Sequence, residues 1–137
     1  MQLEASEEID RPAATVFDFI GFHHVANHPR WDAEVQLQQL TKGPIGVGTV
    51  IRRRSTHYGE AIDDVMECVE FDPPRAIGLL VRGGPMEIHA RMSVQADGPH
   101  RSLLTIGVDL PSADIPMDPR LLEETTQRIK DLIESDR

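Results

Sequence analysis

Polar and apolar positions alternate with a period of two over the first ten residues. Leu3, Ala5 and Ile9 are separated by Gln2, Glu4, Ser6, Glu8 and Asp10, the spacing of a strand with one buried face. The period then switches to helical, with Ala13, Val16, Phe17 and Ile20 on one stripe. Pro12 suits the first turn of this helix, where a missing N–H leaves nothing unpaired, and Asp10 puts negative charge near the helix's positive end. Gly21 to His28 reads as a second short helix. Pro29 ends it, because proline disfavours helical geometry in the residue before it. Trp31 then falls at a helix-to-strand junction.

From Glu34 the alternation returns. Val35 and Leu37 open a strand, Gly43 to Gly48 is a turn, and Val47 to Tyr58 reads as a long strand closed by Gly59-Glu60. Ile62–Phe71, Ala76–Arg82, Met86–Ala96 and Ser102–Leu110 follow, separated by turn signals at Asp72-Pro73-Pro74-Arg75, Gly83-Gly84-Pro85 and Asp97-Gly98-Pro99. Seven strands result, six of them consecutive, which is an antiparallel meander. Beyond the loop Pro111–Pro116, Asp118 opens an amphipathic helix of about five turns. Its predicted apolar face is Leu121, Leu122, Thr125, Ile129, Leu132 and Ile133. The fold class is therefore α+β, a sheet curled around one long terminal helix, and a cavity can open in the space between them.

A length of 137 residues fits one domain spanning 1–137, since a chain of about 150 residues hides roughly two-thirds of its unfolded surface. The net charge of −9 disfavours nucleic acid and anionic membrane as partners, Arg52-Arg53-Arg54 being the one cationic cluster. A single cysteine, Cys68, excludes an internal disulfide and a multi-thiolate zinc site and fits a reducing compartment. The acidic start of the chain is no export signal, and no window approaches ~18 apolar residues, so a cytoplasmic protein without a membrane span is expected.

Several stretches together carry a family resemblance: Ile9-Asp10-Arg11-Pro12 with Val16-Phe17, then Trp31-Asp32, the turn Gly43 to Thr49, and Glu70-Phe71-Asp72-Pro73-Pro74-Arg75 ahead of a terminal helix. The chain resembles the polyketide cyclase/dehydrase and lipid-transport superfamily, also called SRPBCC or START-like. That group shares the birch-pollen-allergen helix-grip: seven antiparallel strands around a long C-terminal helix, with two short helices after strand 1. The resemblance implies an apolar cavity holding a small hydrophobic or aromatic molecule. Some relatives cyclise or dehydrate polyketides, others carry ligands and others bind proteins. No residue here matches a catalytic motif of the enzymatic branch, so whether the protein is an enzyme stays open.

Candidate ligand contacts come from the strand pattern. A hairpin at Gly59-Glu60 pairs Arg53 with Met66, Ile51 with Cys68, Ser55 with Asp64 and His57 with Ile62, and this more apolar face is expected to line the cavity. An interior Arg53 needs a carboxylate partner such as Asp64, or an anionic ligand group. His57 beside Asp64 has the makings of a general base with its orienting carboxylate, with Arg53 as the donor to an enolate, although a surface pair is the commoner outcome. Met66 and Met92 are adaptable side chains suited to a pocket or to ordinary core, and Trp31 is either a stacking wall or a plug at the end of the sheet. The candidate ligand-binding set is Trp31, Arg53, His57, Asp64, Met66 and Met92.

His24 and His28 lie four apart, as a metal pair on one helix face would, but solvent-exposed histidines are the expectation and no metal or cofactor is assigned. Binding of a small hydrophobic or aromatic ligand is the leading function. The alternative is a protein-interaction module resembling the chaperone ATPase activator group. A homodimer is compatible with either.

Overall fold

The computed structural model describes residues 2–56, 59–111 and 118–136. Strand β1 (Gln2–Ile9) runs into helix α1 (Ala13–Phe17), which widens into a π turn over Asp18–Phe22 before helix α2 (His24–Trp31). Six strands follow: β2 (Val35–Gln39), β3 (Val50–Ser55), β4 (Ile62–Asp72), β5 (Ala76–Arg82), β6 (Ile88–Ala96) and β7 (Ser102–Asp109). Helix α3 (Pro119–Ser135) closes the chain, with Asp118 capping it by accepting from the Arg120 N–H at 3.0 Å. All pairs are antiparallel and the sheet order is β1-β7-β6-β5-β4-β3-β2. α1 lies against β6 and β7, α2 against β2, and α3 mainly against β1 with some contact to β7. Among the described residues no helix is long and apolar enough to cross a membrane.

Period-two alternation sorts the sheet. Inward positions are apolar, while the outer face carries cross-strand pairs such as Arg82–Glu67 at 3.0 Å, Arg91–Glu70 at 2.7 Å and Arg101–Glu8 at 2.8 Å. The π turn is marked by the His23 N–H donating to the Asp18 carbonyl at 3.0 Å, five residues back. It presses Gly21 against the Phe17 ring so closely that a Cβ there would sit 2.7 Å from ring carbons. A side chain there would force the Phe17 ring to move.

Three expectations are corrected. Helix α2 does not stop before Pro29 but runs through it to Trp31. One intrahelical hydrogen bond is lost at the proline, yet the last turn still closes from the Asp32 N–H to the His28 carbonyl at 3.0 Å, and Trp31 is 3 % exposed, so tertiary packing outweighs the local preference. The register of β3 on β4 is offset by two residues from the expected hairpin: Arg53 pairs with Asp64, Ile51 with Met66 and Ser55 with Ile62. The connection spans residues 56–61 instead of a two-residue turn, and an even offset keeps every side chain on its expected face. On α3 the buried residues are Leu122, Thr126, Ile129 and Ile133, so Thr126 faces inward in place of Thr125, and Leu121 is exposed.

Candidate functional site

The inner face of the sheet is a set of rows read across the strands. One row holds Glu7, Leu104 and Val94, the next Ala5, Ile106, Met92 and Ile77, and the next Leu3, Val108, Ala90, Leu79 and Cys68. Beyond these come Ile88, Val81, Met66 and Ile51, then Asp64, Arg53 and Leu37. The face is apolar except at Glu7, Gln39, Ser55, Ser102 and the Arg53–Asp64 pair. Its burial is uneven. Leu104 is fully buried, as are Ile9, Phe17 and Ile129, whereas Ala5 and Val108 keep 8 % exposure and Leu3, Ala90 and Ile88 are only partly buried. Ile88 and Ala90 of β6 are thus the inward positions of the middle strands that packing covers least.

Arg53 and Asp64 meet in a two-pronged pair, Nε to Oδ1 and Nη2 to Oδ2, both at 2.8 Å. Strand alternation turns both side chains inward, and the antiparallel pairing sets them directly opposite one another. The Asp64 side chain is 2 % exposed and that of Arg53 15 %. Gly84 backs the carboxylate, since a Cβ at that position would lie 3.0 Å from Asp64 Cβ. Around the corner, an open groove of about 400 Å³ is lined by Glu34, Gln36, Arg54, Ser55, Ile62 and Asp63 among others.

A second polar group is buried in α2. His24 Nδ1 lies 2.7 Å from the Ile20 carbonyl and His24 Nε2 lies 3.0 Å from His28 Nδ1. A carbonyl only accepts, so Nδ1 of His24 carries the hydrogen, its Nε2 accepts, and His28 Nδ1 donates. Burial pushes the His24 imidazole down to about 4, with the Ile20 hydrogen bond acting weakly in the other direction. The His28 ring stacks on Trp31 at 5.0 Å between centroids, and its Nε2 lies 4.0 Å from Asp32 Oδ2. Arg128 of α3 donates to the Trp31 carbonyl at 2.5 Å and ties α2 to α3.

The predicted residues are therefore dispersed. Arg53 and Asp64 touch, Met66 sits one row along the same face, and Met92 lies on that face two strands further on. Trp31 packs among Phe19, His24 and His28 in the helical layer. His57 lies outside the described residues. The expectation of solvent-exposed histidines fails at His24, which is 1 % exposed. Its burial had a signal: Val16, Ile20 and His24 follow one another at intervals of four, so the apolar stripe of the first helix extends to it. Among the described residues, no group of three or more His, Cys, Asp or Glu is placed to hold a metal ion.

No family model and no curated protein matches this sequence. Solved structures do match over nearly the whole chain. A START superfamily protein from Mycobacterium smegmatis superposes with a TM-score of 0.75 at 17% identity, covering 97% of both chains. The chain has the START-like helix-grip fold. The ZhuI aromatase/cyclase from Streptomyces sp. R1128 shares this helix-grip with a TM-score of 0.75 and 14% identity over 98% of this chain and 93% of its own. Norcoclaurine synthase from Thalictrum flavum does so with a TM-score of 0.76 and 12% identity over 100% and 95%. At such identities the likeness is one of fold, and the helix-grip hosts binding proteins and enzymes alike.

Proposed function

We propose that the protein binds a small hydrophobic or aromatic molecule between α3 and the inner face of the sheet, over β1, β5, β6 and β7 and reaching the Arg53–Asp64 pair of β3 and β4. The observation that carries this reading is the incomplete burial of Leu3, Ile88 and Ala90, apolar side chains that face the concave side of the sheet beside the core residues Ala5 and Val108. A contiguous apolar surface open to solvent inside a curved sheet is stabilised by an occupant of matching chemistry. Met66 and Met92 lend it tolerance of ligand shape. Cyclase or dehydratase chemistry on such a ligand is a narrower version of this proposal. Its supports are the likeness to an aromatase/cyclase and the guanidinium donor of Arg53.

The test uses the neutral fluorophore N-phenyl-1-naphthylamine, whose emission rises in an apolar site. The native protein is expected to bind it saturably, and Ala90→Phe, which projects a ring into the open stretch between Leu79 and Val108, to weaken it about tenfold or more while lowering Tm by less than about 5 °C. Unchanged binding by Ala90→Phe overturns the assignment. So does unfolding, which would mean that Ala90 is already enclosed by packed side chains.

A further inference from the structure

Arg53 is the only cation at an inward-facing strand position among the described residues, and two of its five N–H groups are committed to Asp64. The Nη1 pair and one Nη2 hydrogen have no acceptor among the described residues, and the Arg53 side chain is the more accessible member of the pair at 15 % against 2 %. Electrostatically the site is already balanced. Asp64 neutralises Arg53 through both oxygens. A carboxylate or sulfonate entering here would lose its hydration and find no net positive charge, a situation that costs several kcal/mol per ion in a partly buried site. An uncharged acceptor meets no such cost, because a ketone, ester or quinone oxygen takes one of the spare guanidinium hydrogens without disturbing the Asp64 contact.

We infer that the Arg53–Asp64 pair is a specificity-determining element that selects uncharged aromatic ligands bearing a hydrogen-bond acceptor and rejects carboxylates. This deepens the binding reading above and rests on it. An unpaired arginine would have the opposite preference, so the selectivity resides in Asp64 as much as in Arg53.

The experiment displaces N-phenyl-1-naphthylamine with three ligands on one skeleton, 2-ethylnaphthalene, 2-acetylnaphthalene and 2-naphthoate, at pH 7.5. With native protein, 2-naphthoate should bind at least about tenfold more weakly than the ketone. Asp64→Asn, which leaves Arg53 uncompensated, should bring about a tenfold gain for 2-naphthoate with little change for the hydrocarbon. The double variant Arg53→Met/Asp64→Leu removes both charges together and so avoids a lone buried charge that would oppose folding. In it the ketone-to-hydrocarbon affinity ratio should fall about tenfold. The inference is overturned if native protein binds 2-naphthoate as tightly as the ketone, or if the double variant keeps the native ketone-to-hydrocarbon ratio. If native protein fails to bind the fluorophore at all, the cavity reading falls and this inference with it, an outcome distinct from binding without selectivity.

Discussion

Leu104 and Val108 lie four residues apart on the same strand, face the same way and are both aliphatic, yet their surroundings differ. Leu104 is 0 % exposed and Val108 8 %, and the neighbours of Val108 are the less covered. Near Leu104 the chain leaves β1 at Ile9 and turns into α1, with the Ser102 hydroxyl donating to the Arg11 carbonyl at 3.1 Å and Val16, Phe17 and Ile20 all at 0 % exposure. Near Val108 the neighbours across the sheet are Leu3 and Ala90, both partly buried. An inward-facing apolar side chain such as Ala90 is thus not the same thing as a core side chain. What makes it core is what packs on top, and that cover is thinner around Leu3 and Ala90 than around Leu104.

The largest expected effect tests the closed end. Leu104→Ala should lower unfolding free energy by about 2–5 kcal/mol, read from urea denaturation, because the methyl groups removed leave a cavity that the surrounding α1 and β6 side chains cannot fill. A loss below about 1 kcal/mol would mean that this end is as open as the other.

The closure extends into α2, where His24 is kept neutral. Its folded value of about 4 lies below the ordinary 6.5, so the unfolded chain binds the proton more readily. The stabilising contribution is complete above about pH 6.5 and is lost as pH falls toward 4, amounting to about 3 kcal/mol in total. Protonation would also set the N–H of His24 against that of His28 across 3.0 Å. His24→Gln should remove most of the pH dependence of stability between 6.5 and 4.5. Carboxylates held low by partners, such as Glu70 beside Arg91 and Glu134 on the Asp10 N–H, lose stabilisation mainly as pH falls through their ordinary value of 4.5 and below, so the upper part of that range belongs to His24. Trp31, the single tryptophan and stacked on His28, reports the transition by its fluorescence. An unchanged pH profile in His24→Gln would assign the sensitivity elsewhere.

At the other end Val108→Ala should cost about 1–2 kcal/mol, less than Leu104→Ala, since fewer methyl groups are removed and the flanking Leu3 and Ala90 are only partly buried. A loss equal to that of Leu104→Ala would erase the distinction between the two ends.

This distinction also marks where the sequence stopped being informative. Strand number, order of elements and the inward face of β3 and β4 followed from period-two alternation, which survives an even register error such as the one at Arg53. The pairing partner of Arg53 did not, because it depends on the length of a connection that Gly59-Glu60 suggested was two residues. The run of α2 through Pro29 was hidden for a similar reason: packing of Trp31 and the Arg128 contact to its carbonyl outweigh a local preference. Partial exposure of Ile88 and Ala90 has no sequence signature at all, since it is set by which stretch of the sheet the packed elements leave uncovered.

The smallest effect belongs to the opposite side of the same strand. Arg91 follows Ala90 in β6 and points outward, where it meets Glu70 at 2.7 Å with both side chains well exposed, 53 % and 40 %. The pair holds Glu70 below its ordinary value through the hydrogen bond. In water-exposed geometry such a bond returns little, because solvent screens the attraction and two long side chains lose freedom to make it. Arg91→Ala should therefore change unfolding free energy by less than about 1 kcal/mol, with the remaining difference shrinking in 1 M salt, and should leave fluorophore binding unaltered. Weakened binding in Arg91→Ala would place the ligand on the convex face and refute the inner-face assignment, since residues 90 and 91 cannot both line one side of a strand.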